Sequence, residues 1–139
     1  MTDQGAEVKV TVYAVKFIVP GDPVAWKRVG RDVRFGHSYL PNVVRRAERL
    51  VGLAYKAAGG KMIEGPVTVS CAFYLGGRCT EAHLDPRDVD NLEKTVLDGL
   101  EGVAYRNDRR VVGGSKVKRI DKARPRTEII VAAASPMMM

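Results

Sequence analysis

Residues 65–100 read GPVTVSCAFYLGGRCTEAHLDPRDVDNLEKTVLDGL, and the hydrophobic period changes once within them. Val67, Val69, Cys71 and Phe73 alternate with Thr68, Ser70, Ala72 and Tyr74, which predicts a strand over Val67–Leu75 with one buried face. Leu92, Val96 and Leu100 then recur at i, i+4 and i+8, which predicts a helix over about Asn91–Leu100 closed by Gly102. The polar stretch GRCTEAHLDPRD joins them as a loop. A strand of period 2 feeding a helix of period 3.6 is the unit from which the fold class is read.

Outward from this unit, the valine-rich EVKVTVYAVKFIV predicts a strand over about Val8–Val19, broken by PGDP at Pro20–Pro23. Residues 24–41 read as irregular or hairpin-like. From Pro41 the spacing becomes helical, with Val44, Leu50, Leu53 and Ala57 expected on the buried face and Gly59-Gly60 at the end. On the C-terminal side VAY (103–105) reads as a short strand and RNDRR (106–110) as a turn. VVGGSKVKRI (111–120) and RTEIIVAAA (126–134) read as two more strands, with a loose tail over about 134–139. The order β-β-α-β-α-β-β predicts a single α+β domain over 1–139, with a mixed or antiparallel sheet of about five strands and two main helices.

Composition narrows the function. No run approaches the roughly 18 uncharged apolar residues of a membrane helix, and MTDQGAEVKV lacks the basic and apolar regions of a secretory signal. Cys71 and Cys79 are too few for a disulfide framework. Cys79 and His83 have C-x3-H spacing, but no second pair completes a zinc site, and His37 reads as an ordinary loop residue. The expectation is a cytoplasmic protein with free thiols. A net charge of +7 and a pI near 9.6 point to a polyanionic partner, nucleic acid before membrane.

The charge is unevenly placed. Between Glu81 and Asp108 lie eight acids, namely Glu81, Asp85, Asp88, Asp90, Glu93, Asp98, Glu101 and Asp108, against three bases. Between Arg109 and Arg126 lie eight bases and one acid, Asp121. A metal site beside a phosphate-binding surface has this pattern. So does a solvated helix followed by a basic hairpin.

DVDNLEK carries the same ambiguity. Asp90 reads as an N-cap, Glu93 completes a D-x-x-E capping box, and Lys94 and Asp98 supply i,i+4 pairs. That account leaves Asp88 over. On an extended entry Asp88 and Asp90 point to one side, and a divalent cation relieves their repulsion. Oxygen ligands without histidine or thiolate favour Mg²⁺ or Mn²⁺ over zinc. Asp108 reads as an Asx-turn in RNDRR. It is also the acid that a helix folding back on VAY would return toward Asp88 and Asp90.

These residues carry a resemblance. DVDNLEKTVLDGLEGVAYRNDRRV, Asp88–Val112 less its last residue, resembles the motif of the RusA family of Holliday junction resolvases: D-x-D-N-L-x-K, an LD-x-L helix, a short strand and a D-D-x-x-V turn. FIVPGDPVAWKRVGR is similar to the family's apolar strand, Gly-x-Pro turn and following arginines, although its R-P-R is only loosely echoed by Lys27, Arg28 and Arg31. The resemblance implies a RusA-like domain with Asp88, Asp90 and Asp108 as metal-binding catalytic aspartates and Lys94 as the catalytic lysine. Asn91 takes the motif's asparagine position, and Asn107 stands where the family has the first of two aspartates.

The resemblance further implies an Mg²⁺-dependent endodeoxyribonuclease, with Mn²⁺ able to substitute, acting on four-way junctions as a homodimer in recombination and repair, in a phage or bacterial setting. Arg28, Arg31, Arg87, Arg106, Arg109, Arg110, Lys116, Lys118 and Arg119 are the expected DNA contacts. Two rivals stand beside it: a flap or branched-DNA endonuclease, and a basic nucleic-acid-binding module without catalysis.

Overall fold

The computed structural model describes residues 13–27, the backbone of 31–32 and 37–38, and residues 41–134. The start of the first expected strand, Arg28, and all but Ala134 of the expected tail lie outside the described residues. Strand β1 spans Ala14–Pro20, and β2 (Arg31–Asp32) pairs with β3 (His37–Ser38) as a small hairpin. Helix α1 (Asn42–Ala57), strand β4 (Val67–Leu75) and helix α2 (Val89–Leu100) follow. The chain closes with β5 (Val111–Gly113), β6 (Lys116–Ile120) and β7 (Arg126–Ala133). Two helices and a five-stranded mixed sheet make the α+β domain that the alternation predicts.

β4 is the axis of the sheet. β7 pairs with it antiparallel and carries β1 beyond, while β5 and β6 pair in parallel along its other edge. Parallel pairing needs a crossover, and α2 supplies it. Val67, Val69, Cys71, Phe73 and Leu75 are buried, as their alternation requires, and face Leu92, Val96 and Leu100 of α2. Each side chain fully buried in this way contributes about 1.5–3 kcal/mol.

Three expectations are corrected. VAY is no strand: residues 101–105 form a tight turn closed by a Glu101–Tyr105 bridge, with Ala104 and Tyr105 driven into the core. VVGGSKVKRI is not one strand, because it breaks at Gly114 into β5 and β6. There φ is +135° and a Cβ would lie 1.8 Å from the Val69 carbonyl oxygen, so only glycine passes. On α1, Leu50, Leu53 and Ala57 are exposed, whereas Val44, Val51, Gly52 and Tyr55 are buried. The helix is seated by glycine: a Cβ on Gly99 of α2 would come within 2.6 Å of the Glu48 carbonyl oxygen on α1.

Candidate active site

The entry to α2 is fixed before its aspartates are placed. Asp85 is buried, and the Arg87 guanidinium closes on it through Nη2–Oδ2 at 2.8 Å and Nε–Oδ1 at 2.9 Å. Arg87 also donates to Asp22 Oδ1 at 2.7 Å, to the Pro23 carbonyl at 3.0 Å and to the Gly76 carbonyl at 3.0 Å. Its side chain thus ties the turn after β1, the exit of β4 and the loop before α2 into one knot. The Arg87 hydrogen bonds hold the Asp85 carboxyl at about 2, below its ordinary range, and Asp85 in turn raises the Arg87 guanidinium. Lys118 Nζ completes the knot, donating to the carbonyls of Asp85 at 2.9 Å and Arg87 at 2.6 Å.

From this knot the chain enters α2 at Asp88. Asp88, not Asp90, is the N-cap: its backbone is extended, and its carboxylate accepts from the Asp90 N–H at 3.1 Å. Asp90 falls inside the first turn, where the helix dipole favours a carboxylate. Both side chains stand at the exposed N-terminal end of α2, and Asp88 lines a cleft of about 450 Å³ with Trp26, Pro86, Asn91 and Val24. The Trp26 backbone N–H donates to the Asn91 backbone carbonyl at 2.8 Å, which pins that wall to the helix.

Asp90 has a cationic neighbour that its own helix does not supply. Lys116 Nζ lies 2.6 Å from Asp90 Oδ1 and 3.0 Å from Glu93 Oε1, and these two hydrogen bonds raise its pKa, Asp90's first. Glu93 therefore serves this lysine and closes no capping box. Lys94, four residues after Asp90, turns instead to Asp98 at 3.5 Å, with its ammonium 4.7 Å from the Trp26 ring centre.

Asp108 stands apart, on the 3₁₀ turn Asp108–Arg110 that leads into β5. Asn107 caps that turn, its side-chain oxygen accepting from the Arg109 backbone N–H at 3.2 Å. Asparagine does here what an aspartate would do. Among the described residues no three His, Cys, Asp or Glu side chains are grouped to hold a metal ion. Asp88 and Asp90 share the N-terminal end of α2, and Asp108 sits on a separate element.

The basic candidates divide by what they already touch. Arg87, Lys116 and Lys118 are engaged as described, and all five Arg87 N–H groups are taken. Arg106 pairs with Glu64 at 3.4 Å, Arg110 donates to the Glu64 carbonyl, and Arg109 is exposed beside Asp108. Arg119 alternates with Lys118 along β6, so it points to the opposite face of the sheet. Arg28 lies outside the described residues, and only the backbone of Arg31 is described.

Sequence reasoning missed Asp22, Asp85 and Glu93 as partners of Arg87 and Lys116. The short D-P-R spacing was a signal for the Asp85–Arg87 contact, whereas the others join residues remote in sequence. Cys71 is buried, which pushes its thiol up to about 12 and leaves it an inert part of the core. No helix among the described residues is long and apolar enough to cross a membrane.

The family model described as endodeoxyribonuclease RusA matches residues 20–132. No curated protein matches the chain.

Proposed function

The chain belongs to the RusA endodeoxyribonuclease family, and from that premise we propose that it is a divalent-metal-dependent nuclease resolving four-way DNA junctions by paired nicks, as a homodimer. The observation that carries this reading is the placement of Asp88 and Asp90 within the matched span. Both are exposed on one helix N-terminus, and Asp88 opens on a cleft walled by Trp26. The helix cap uses only Asp88 Oδ1 and Lys116 only Asp90 Oδ1, so each carboxylate keeps an oxygen for chemistry.

The donor chemistry fits a hard cation. Asp88 and Asp90 offer oxygens, and among the described residues no histidine or cysteine joins them in a ligand group, which suits Mg²⁺ or Mn²⁺. Asp90 already faces positive charge, from Lys116. Asp108 joins them as a ligand on the strength of the family motif alone. A divalent ion held there would activate water and neutralise charge on the cleaved phosphodiester, leaving a 5′-phosphate and a 3′-hydroxyl.

The remaining work falls to the chain's own side chains. Lys94 sits one turn along α2, and its ion pair with Asp98 is too exposed to hold it strongly, so its ammonium is available to the phosphate. Arg106, Arg109 and Arg110 flank Asp108 in the chain and supply sequence-independent affinity for the backbone. Arg87 is left out of this surface because its donors are all engaged within the protein. A junction with two-fold symmetry requires two cuts, and two copies of the chain provide two sites.

The test is cleavage of a labelled synthetic four-way junction by wild type and Asp90→Asn, with and without Mg²⁺, beside a linear duplex and a flap. Paired Mg²⁺-dependent nicks that vanish in the variant are expected. Cleavage confined to the flap would change the substrate, and binding without cleavage in Mg²⁺ or Mn²⁺ would leave a non-catalytic DNA-binding module.

A further inference from the structure

Lys116 reaches Asp90 from the first position of β6. Its position is set by pairing with Cys71 in the parallel register of β4 and β6, reached through the Gly114 bend that no other residue can make. The Ser115 carbonyl accepts from the Cys71 N–H at 2.8 Å, and the Ser115 N–H donates to Ser70 Oγ at 3.2 Å, so the backbone beneath Lys116 is held on both sides. Sharing a sheet face with Cys71, the side chain points toward α2, where its ammonium spans Asp90 and Glu93.

The two contacts differ in strength. The Asp90 contact is the shorter, 2.6 Å against 3.0 Å, but Asp90's side chain is 71% exposed and open to a competing ion, while Glu93's is 23% exposed and its pair is less screened by water. We infer that Lys116 is an internal competitor for the divalent cation: its ammonium occupies Asp90 in the metal-free protein, and metal loading displaces it onto Glu93 alone. This rests on the metal-nuclease reading above and adds to it a positioning residue that sets metal affinity. A divalent ion would carry twice the charge of the ammonium, and the exposed Asp90 carboxylate would be open to it. Glu93, one turn along α2, then keeps Lys116 beside the site as a fixed positive charge.

The experiment is calorimetric titration of Mn²⁺ alone into wild type, Lys116→Met, Lys116→Gln and Lys116→Met/Asp90→Asn, with thermal melts to establish that each variant is folded. Removing the competitor is expected to tighten Mn²⁺ binding about fivefold, the equivalent of one exposed ion pair of ~1 kcal/mol. Lys116→Gln keeps the size and polarity of the side chain and stands in should the methionine variant fail to fold. Adding Asp90→Asn is expected to abolish the gain. Wild-type binding with equal or weaker affinity in both Lys116 variants would overturn the inference while leaving the metal site intact, and so would a gain that survives Asp90→Asn. Absence of Mn²⁺ binding in every protein would sink the metal-nuclease reading and this inference with it.

Discussion

Arg87 and Asp85 form a closed pair at the foot of α2, with Nη2–Oδ2 at 2.8 Å and the Asp85 side chain only 4% exposed. Arg87→Ala would leave that carboxylate only the backbone N–H of residue 87, which donates to Asp85 Oδ1 at 2.9 Å, and no paired charge, since Lys118 is hydrogen-bonded to the neighbouring backbone. A buried charge that loses its partner costs about 3–5 kcal/mol, and urea unfolding should show a loss of this order. A variant of wild-type stability that bound DNA more weakly would return Arg87 to the phosphate surface.

The same pair sets an acid limit. Arg87 lowers the Asp85 carboxyl from its ordinary 3.8 to about 2 in the folded chain. A folded value below the unfolded one means that its stabilisation is complete above roughly pH 4 and is lost as pH falls toward 2, a contribution of about 2 kcal/mol. Melting temperatures between pH 5 and 2 should fall less steeply for Asp85→Asn than for wild type. Parallel curves would show that Asp85 does not control this limb.

Asp88 carries a structural duty and a proposed chemical one, and two substitutions separate them. Asp88→Asn keeps a side-chain oxygen for the Asp90 N–H, so stability should change by less than about 0.5 kcal/mol while nuclease activity disappears. Asp88→Ala should lose activity and about 1 kcal/mol of stability as well. Full activity in Asp88→Asn would reduce this residue to a cap.

β4 and α2 were legible because each has a single apolar stripe: Val67 to Leu75 at every second position, and Leu92, Val96, Leu100 at every fourth. The extent of α1 was legible too, but its buried face was not, because the helix carries two. Val44, Val51 and Tyr55 form one stripe, and Val43, Leu50 and Leu53 form another. What selects between them is the close approach of Gly52 and Gly99, a contact between helices that periodicity within either one does not contain. The aspartate pair was legible as a unit, but its cap was assigned two residues late, since Asp88 and Asp90 have equal capping propensity. Lys116 was seen as a base and not as Asp90's partner, because that contact depends on where Gly114 breaks the strand.

The two stripes of α1 can be told apart by substitution. Val51→Ala removes buried volume and should cost about 2 kcal/mol. Leu53→Gln, at a position 55% exposed, should change stability by no more than about 0.5 kcal/mol. Guanidinium unfolding of both variants decides it: equal losses would restore Leu53 to the core.

The DNA surface can be mapped by salt dependence. A side chain that neutralises one phosphate contributes roughly one unit to the slope of log affinity against log salt. Arg109 is exposed on the turn that begins at Asp108, so Arg109→Ala should lower the slope by about one and weaken binding equally for all sequences. Arg119 points to the sheet face opposite Lys116 and Lys118, away from the α2 N-terminus, so Arg119→Ala should leave the slope unchanged. Titrating a labelled junction with each variant between 50 and 200 mM salt, roughly the range over which such contacts are lost, makes the comparison. A reduced slope for Arg119→Ala with none for Arg109→Ala would move the DNA to the open face of the sheet and separate it from the proposed aspartates.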